Sequence, residues 1–345
     1  MKKILLPFLL VIMATGLQAQ QNKIADRIIE LGQTDNRTMH HLDVVSNRFG
    51  GRLVGSDAYE NAAEWCASQF RSWGMEVIMD EAGTVPVGFN RGPWFGRMLS
   101  DNGMVLHFAT PSYTAGTKGV QRGHVLLEPK SREEFDRMKG VLKGAWVLIG
   151  GKNDGWPIDW SPRADSVRAS VIAWNDSVAR INREIMRENM MNRANPPKEL
   201  NKLKGEPALF YREMREAGIL GVIQSSEVPI RALYDRKNLD RLTFDNLPTV
   251  CDIKLDEDQY EIIAEMARER QYFLLEFDIR NHFRPGPVKY YSVIGVIKGK
   301  KYPDEYVMMG GHLDAFDVAT GGVDDGSGLS PTMEAARLIM AAGGK

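Results

Sequence analysis

The chain has 345 residues, 43% of them hydrophobic and 26% charged, which suits one large or two ordinary globular domains and sets disorder aside. Lys and Arg total 44 against 45 Asp and Glu, so no charge excess draws the chain to a phosphate backbone or an anionic membrane, and nucleic acid is not an expected partner. Cys66 and Cys251 are too few for a disulfide scaffold; they read as two buried thiols, with a single bridge optional.

Residues 1–19 read as a secretory signal peptide, because Lys2 and Lys3 precede an apolar run from Ile4 to Met13 and Ala19 suits the position before a cleavage. That run is short for a membrane span, and nothing later reaches the roughly 18 apolar residues a span needs. The mature protein is therefore expected outside the cytoplasm, secreted or periplasmic. Ile24, Ile28 and Leu31 then share one helix face with Gly32 as a stop, and a second helix is expected from Thr38 to Ser46. After the loop Gly51-Arg52-Leu53-Val54-Gly55-Ser56, Asp57 and Glu60 read as a capping box for a helix that buries Tyr59, Ala62, Ala63, Cys66, Phe70 and Trp73.

From Met75 the pattern changes to short apolar runs between Gly and Pro, with strands expected at Met104 to Phe108, Gly123 to Leu127 and Ala145 to Ile149. Val167, Val171, Trp174, Val178, Ile181 and Ile185 alternate at four and three, which predicts a long amphipathic helix from about 164 to 193, packed as a surface insertion rather than paired as a coiled coil. A helix from Ala208 to Ala217, a strand from Ile219 to Ile223 and a helix from Asp256 to Arg270 follow. Two strands, Tyr290 to Ile297 and Tyr306 to Met309, lead into a Gly-, Asp- and His-rich segment, and a last helix carries Leu329, Met333, Ala336 and Met340 on one face. That order is the strand–loop–helix arrangement in which α/β proteins carry ligands at the carboxyl ends of strands.

The segment from Gly310 to Gly328 holds the chemistry. His312 offers an imidazole nitrogen at the end of a strand, and Asp324 and Asp325 offer hard oxygens on a glycine-loosened loop, a mixture that suits Zn²⁺ better than Ca²⁺ or Mg²⁺. Asp314, two residues on, points to the same side of an extended chain and can orient the imidazole. Asp-Asp-Gly-Ser-Gly alone is an ordinary turn, and a lone His after a strand is ordinarily structural; the two together carry the signal. Counted from Asp314, an EF-hand fails at Phe316, Val318 and Asp325, and no phosphate-binding Gly-rich loop with Lys-Ser/Thr occurs.

His312-Leu313-Asp314 followed by Asp324-Asp325-Gly326-Ser327-Gly328 resembles the clan MH zinc metallo-exopeptidases, which include aminopeptidases and glutamate carboxypeptidases. Tyr302-Pro303-Asp304, Asp317-Val318-Ala319-Thr320-Gly321 and Gly51 to Ser56 are similar to the glutamate carboxypeptidase branch. The resemblance implies an α/β fold: an α/β/α sheet domain, partial here, interrupted by a β-rich protease-associated domain. The bounds it implies are 20–91 and 251–345 for the peptidase domain and 92–250 for the insert. It implies that His312 ligates one zinc, that Asp324 bridges two, that Asp314 is the catalytic support of His312, and that Asp325 holds the loop, through an unusual cis peptide.

The family pattern next requires an adjacent glutamate pair on a following strand, then a further acid and a final histidine. After Gly328 the only acid is Glu334, on a helix, so the chain is expected to be C-terminally incomplete and inactive by itself. The expected substrate of the whole protein is a short peptide or dipeptide. Two competing expectations are a non-catalytic binding protein on the same fold and a Ca²⁺-stabilised module on the Asp-Gly loop.

Overall fold

The computed structural model describes residues 23–100, 103–192, 195–227 and 239–344, so the signal-peptide reading of residues 1–19 lies outside the described residues. The chain is mixed α/β and divides into two compact units, Met1–Gly88 with Pro287–Lys345, and Phe89–Gly286.

The first unit opens with helix α1 (23–34) and α2 (Thr38–Asp43), which runs on as a π-helical turn over Val44–Phe49. Helix α3 (Asp57–Ser72) is capped by Ser56, whose hydroxyl accepts from the Tyr59 amide at 3.1 Å, so the cap lies one residue before the expected Asp57. Its buried face is Tyr59, Ala62, Ala63, Cys66, Ala67 and Phe70. Strand β1 (Glu76–Val85) follows in this unit, and its partner comes from the far end of the sequence.

The second unit begins with β2 (Gly88–Met98), β3 (Phe108–Ala109), β4 (Gln121–Leu127), α4 (Arg132–Met138) and β5 (Trp146–Lys152). It continues with α5 (Pro162–Met191), α6 (Tyr211–Glu216), β6 (Gly221–Ser226), β7 (Cys251–Asp256), α7 (Glu257–Arg268) and β8 (Leu274–Arg284). The strands form one seven-stranded sheet in the order β2-β8-β4-β5-β6-β7-β3, parallel from β4 to β7 and antiparallel at β8 and β3. Trp146 and Leu148 face a core with Ile253, Phe277 and the α7 residues Tyr260 and Ile263; Val147 and Ile149 face Phe135, Phe210 and Met214 on the other side.

Helices pack on both faces of this seven-stranded sheet. Short, continuously apolar runs are what strands buried on both faces of a parallel sheet look like. The unit also runs past Val250 to Gly286, because β7 pairs with β6 and β8 with β4.

Helix α5 spans nearly the expected range, but its buried line differs. Val167, Trp174 and Ile181 are exposed, while Arg168, Asn175 and Val178 are buried. Asn175 clamps the main chain of Lys204 in both directions, its amide donating to the carbonyl at 3.0 Å and its oxygen accepting from the N–H at 2.8 Å. Asn182 does the same to Asn201 and Asn189 to Lys198. Seven helical residues advance about 10.5 Å and three polyproline-like residues about 9.3 Å, so the clamps stay in register along an extended strap. Polar side chains reading a backbone leave no hydrophobic period; of the alternating residues Val178 is buried and Val171 packs on the core, while Val167, Trp174 and Ile181 face outward.

The first unit resumes with β9 (Val288–Val296), antiparallel to β1 with Glu76 opposite Val296, and ends in α8 (Ser327–Ala341). Met333, Leu329 and Ala336 of α8 pack on Val45, Cys66, Phe70 and Met75. The expected strand Tyr306–Met309 is not formed: the segment joins no ladder among the described residues and its four side chains are exposed. Cys66 and Cys251 are both buried and free, in different units. Burial pushes each thiol up to about 12, which makes both inert at neutral pH.

Candidate metal centre

Four side chains of the segment before α8 are drawn together. The His312 ring sits between two carboxylates, with Nδ1 3.0 Å from Asp314 Oδ1 and Nε2 2.8 Å from Asp324 Oδ1. Asp325 faces the other way and holds the loop: its Oδ2 accepts from the His312 amide at 3.1 Å and its Oδ1 from the Gly328 amide at 3.0 Å. The Asp324–Asp325 peptide bond is cis. A Cβ at Gly328 would fall 2.3 Å from Asp325 Oδ1, so this glycine is required for the carboxylate to reach the start of α8.

The imidazole is half exposed and the Asp324 side chain 72% exposed, so the pair opens to solvent. Partial burial works against a charge on His312, but Asp314 and Asp324 outweigh it and raise its pKa above the ordinary imidazole value. The donor set explains why. If Nδ1–H donates to Asp314, the Nε2 lone pair faces the Asp324 carboxylate, and two acceptors at 2.8 Å need a cation between or beside them. Either a proton or a metal ion meets that need, and imidazole nitrogen with a hard oxygen is a donor pair that suits Zn²⁺. Among the described residues no cluster of three or more His, Cys, Asp or Glu able to hold a metal occurs.

The loop's backbone is organised by Arg52, a residue given no role by sequence reasoning. Its side chain is fully buried, and five main-chain carbonyls accept from its guanidinium: Val45 and Gly50 at 2.6 Å, Leu313 at 2.8 Å, Gly321 at 3.1 Å and Thr320 at 3.2 Å. Its own carbonyl accepts from the Ala315 amide at 3.0 Å. A Cβ at Gly51 would fall 2.4 Å from Asp317 Cα, so Gly51-Arg52 and the metal loop pack backbone on backbone. The available signal was a charged residue set among Gly and apolar residues, where a solvated arginine has no reason to be.

Glu334, the one acid of α8, is not a free base. It is buried, accepts from Arg337 at 2.8 and 2.9 Å and from the Arg37 amide at 2.9 Å, and lies 3.1 Å from His41 Nε2.

The family model for peptidase family M28 matches residues 292–345, the stretch that carries His312, Asp314, Asp324 and Asp325. Over that stretch the chain is similar to peptidase family M28. Curated relatives match far beyond that segment. Carboxypeptidase Q of Rattus norvegicus is 30% identical over 333 residues, covering 93% of this chain and 59% of the relative; carboxypeptidase Q of Homo sapiens is 22% identical over 319 residues, covering 92% and 58%. The chain therefore spans under two thirds of the length of these relatives. Among solved structures, a peptidase M28 precursor from Shewanella amazonensis superposes with a TM-score of 0.47 at 16% identity, covering 94% of this chain and 64% of that one. A zinc aminopeptidase from Bacillus subtilis gives 0.43 at 17%, covering 88% and 57%.

Proposed function

We propose that this chain is the front part of a secreted, zinc-dependent exopeptidase that removes terminal residues from short peptides or dipeptides. The observation that carries the reading is the His312 Nε2 to Asp324 Oδ1 approach of 2.8 Å, with Asp314 behind the ring. His312 would hold one zinc through Nε2 and Asp324 would bridge two through its carboxylate. When bound, such ions lower the pKa of a shared water and polarise the scissile carbonyl. Asp314 accepts from Nδ1 of His312, which fixes the neutral tautomer and orients Nε2 toward the metal side. Asp325 keeps the two ends of the loop closed on each other.

With two protein donors, the chain by itself is expected to bind zinc weakly and to show little peptidase activity. No helix among the described residues is long and apolar enough to cross a membrane. A Ca²⁺ module is disfavoured by the nitrogen donor, since Ca²⁺ takes six to eight oxygens. Calorimetric titration of the chain with Zn²⁺ and Ca²⁺ tests the reading: weak zinc binding lost in His312→Ala is expected. Preferential calcium binding, or zinc binding indifferent to His312, would refute it.

A further inference from the structure

Arg52 and the metal loop are 261 residues apart in sequence at their contact with Leu313, yet the guanidinium touches the loop at both of its ends. Leu313 follows His312; Thr320 and Gly321 come shortly before Asp324. One planar fork thus ties the carbonyl beside the first donor to the carbonyls leading to the second, and it anchors both to the Val45 and Gly50 carbonyls of the preceding segment. Gly321 admits this approach: its φ is +65°, and a Cβ there would fall 2.8 Å from Arg52 Nη2.

We propose that Arg52 is the positioning residue of this centre, setting the spacing of His312 and Asp324 by cross-linking the two ends of their loop. The inference rests on the zinc reading only where the spacing serves a metal. Lysine cannot substitute, because its ammonium has three donors on a tetrahedral head and lacks the flat fork that reaches carbonyls on several sides. A residue that merely filled the core would loosen α3 and α8 of the same unit as much as it loosened the loop.

The full chain and its Arg52→Lys variant separate these roles. Amide hydrogen exchange in the metal-free proteins should show residues 313–321 exchanging about tenfold faster in the variant, with α3 and α8 unchanged. Zn²⁺ affinity by calorimetry should fall about tenfold, the lower end of what losing an outer support of a metal site does. Loop exchange at the wild-type rate would overturn the proposal, and so would helices and loop loosening together. If the wild-type chain bound no Zn²⁺ at all, the metallopeptidase reading would fail, while the exchange comparison would still decide the role of Arg52.

Discussion

Two histidines in the first unit each meet a carboxylate, and they differ in nearly everything else. The His41 and Glu334 side chains are 2% and 3% exposed; those of His312 and Asp324 are 50% and 72% exposed. Glu334 is neutralised by Arg337, which also bridges to Asp35, whereas the His312 ring has a carboxylate on each side. Desolvation lowers the His41 pKa in spite of Glu334, while two carboxylates raise that of His312. The first pair is electrically closed and serves the fold. The second is left short of positive charge and in reach of solvent, the condition for recruiting a cation.

The contrast breaks most easily at Glu334. Glu334→Ala strands Arg337 and His41 in the interior, and removing one partner of a buried ion pair costs about 3–5 kcal/mol. Denaturant unfolding followed by a probe in the first unit should show a loss of that size; a loss below about 1 kcal/mol would mean that this cluster, too, is dispensable to the fold. Asp324→Ala should do the reverse, leaving unfolding within about 0.5 kcal/mol of wild type while Zn²⁺ binding by calorimetry disappears.

A finer test is Asp314→Asn, which keeps the shape but removes the charge behind the ring. Zn²⁺ affinity should fall about tenfold with no change in stability. The smallest effect concerns pH. The folded pKa of His41 lies below the unfolded value of about 6.5, so the folded state holds the proton less well and stability falls as pH drops below about 6.5. Glu334, whose pKa is lowered by Arg337 and the Arg37 amide against the effect of burial, contributes fully above about 4.5 and does not enter that window. His312 has the opposite sign, so the difference between wild type and His41→Gln isolates His41. That difference should shift by at most about 1.4 kcal/mol per pH unit between pH 6.5 and 5. A flat difference would show that His40, Glu334 and Arg337 leave His41 freely protonated.

Local features were legible because their causes are local. The burial period of α3 (Asp57–Ser72), the length of α5 (Pro162–Met191) and the apolar runs at β4 to β6 follow from side-chain pattern and turn chemistry. The long strands β1 and β8 were not anticipated, since Glu76–Val85 lacks a regular apolar alternation and none of its side chains is buried, and β8 takes its place in the sheet through β4, more than a hundred residues away. Tyr306–Met309 shows the opposite error: it has strand-forming side chains but no ladder partner among the described residues.

At the site, the donor types and the two-residue offset of His312 and Asp314 were written in the sequence, because extended chain places alternate residues on one side. The approach of Asp324 to His312 was not, since a twelve-residue return depends on how the intervening loop is held. Asp325 closes the loop from within, and Arg52 holds it from far away in sequence, through carbonyls that every residue carries; a contact with main-chain atoms leaves no mark on the identity of its partners. The sequence by itself determined which atoms could meet a metal ion; the tertiary structure decided that they meet, by burying a charged fork between the two ends of the loop.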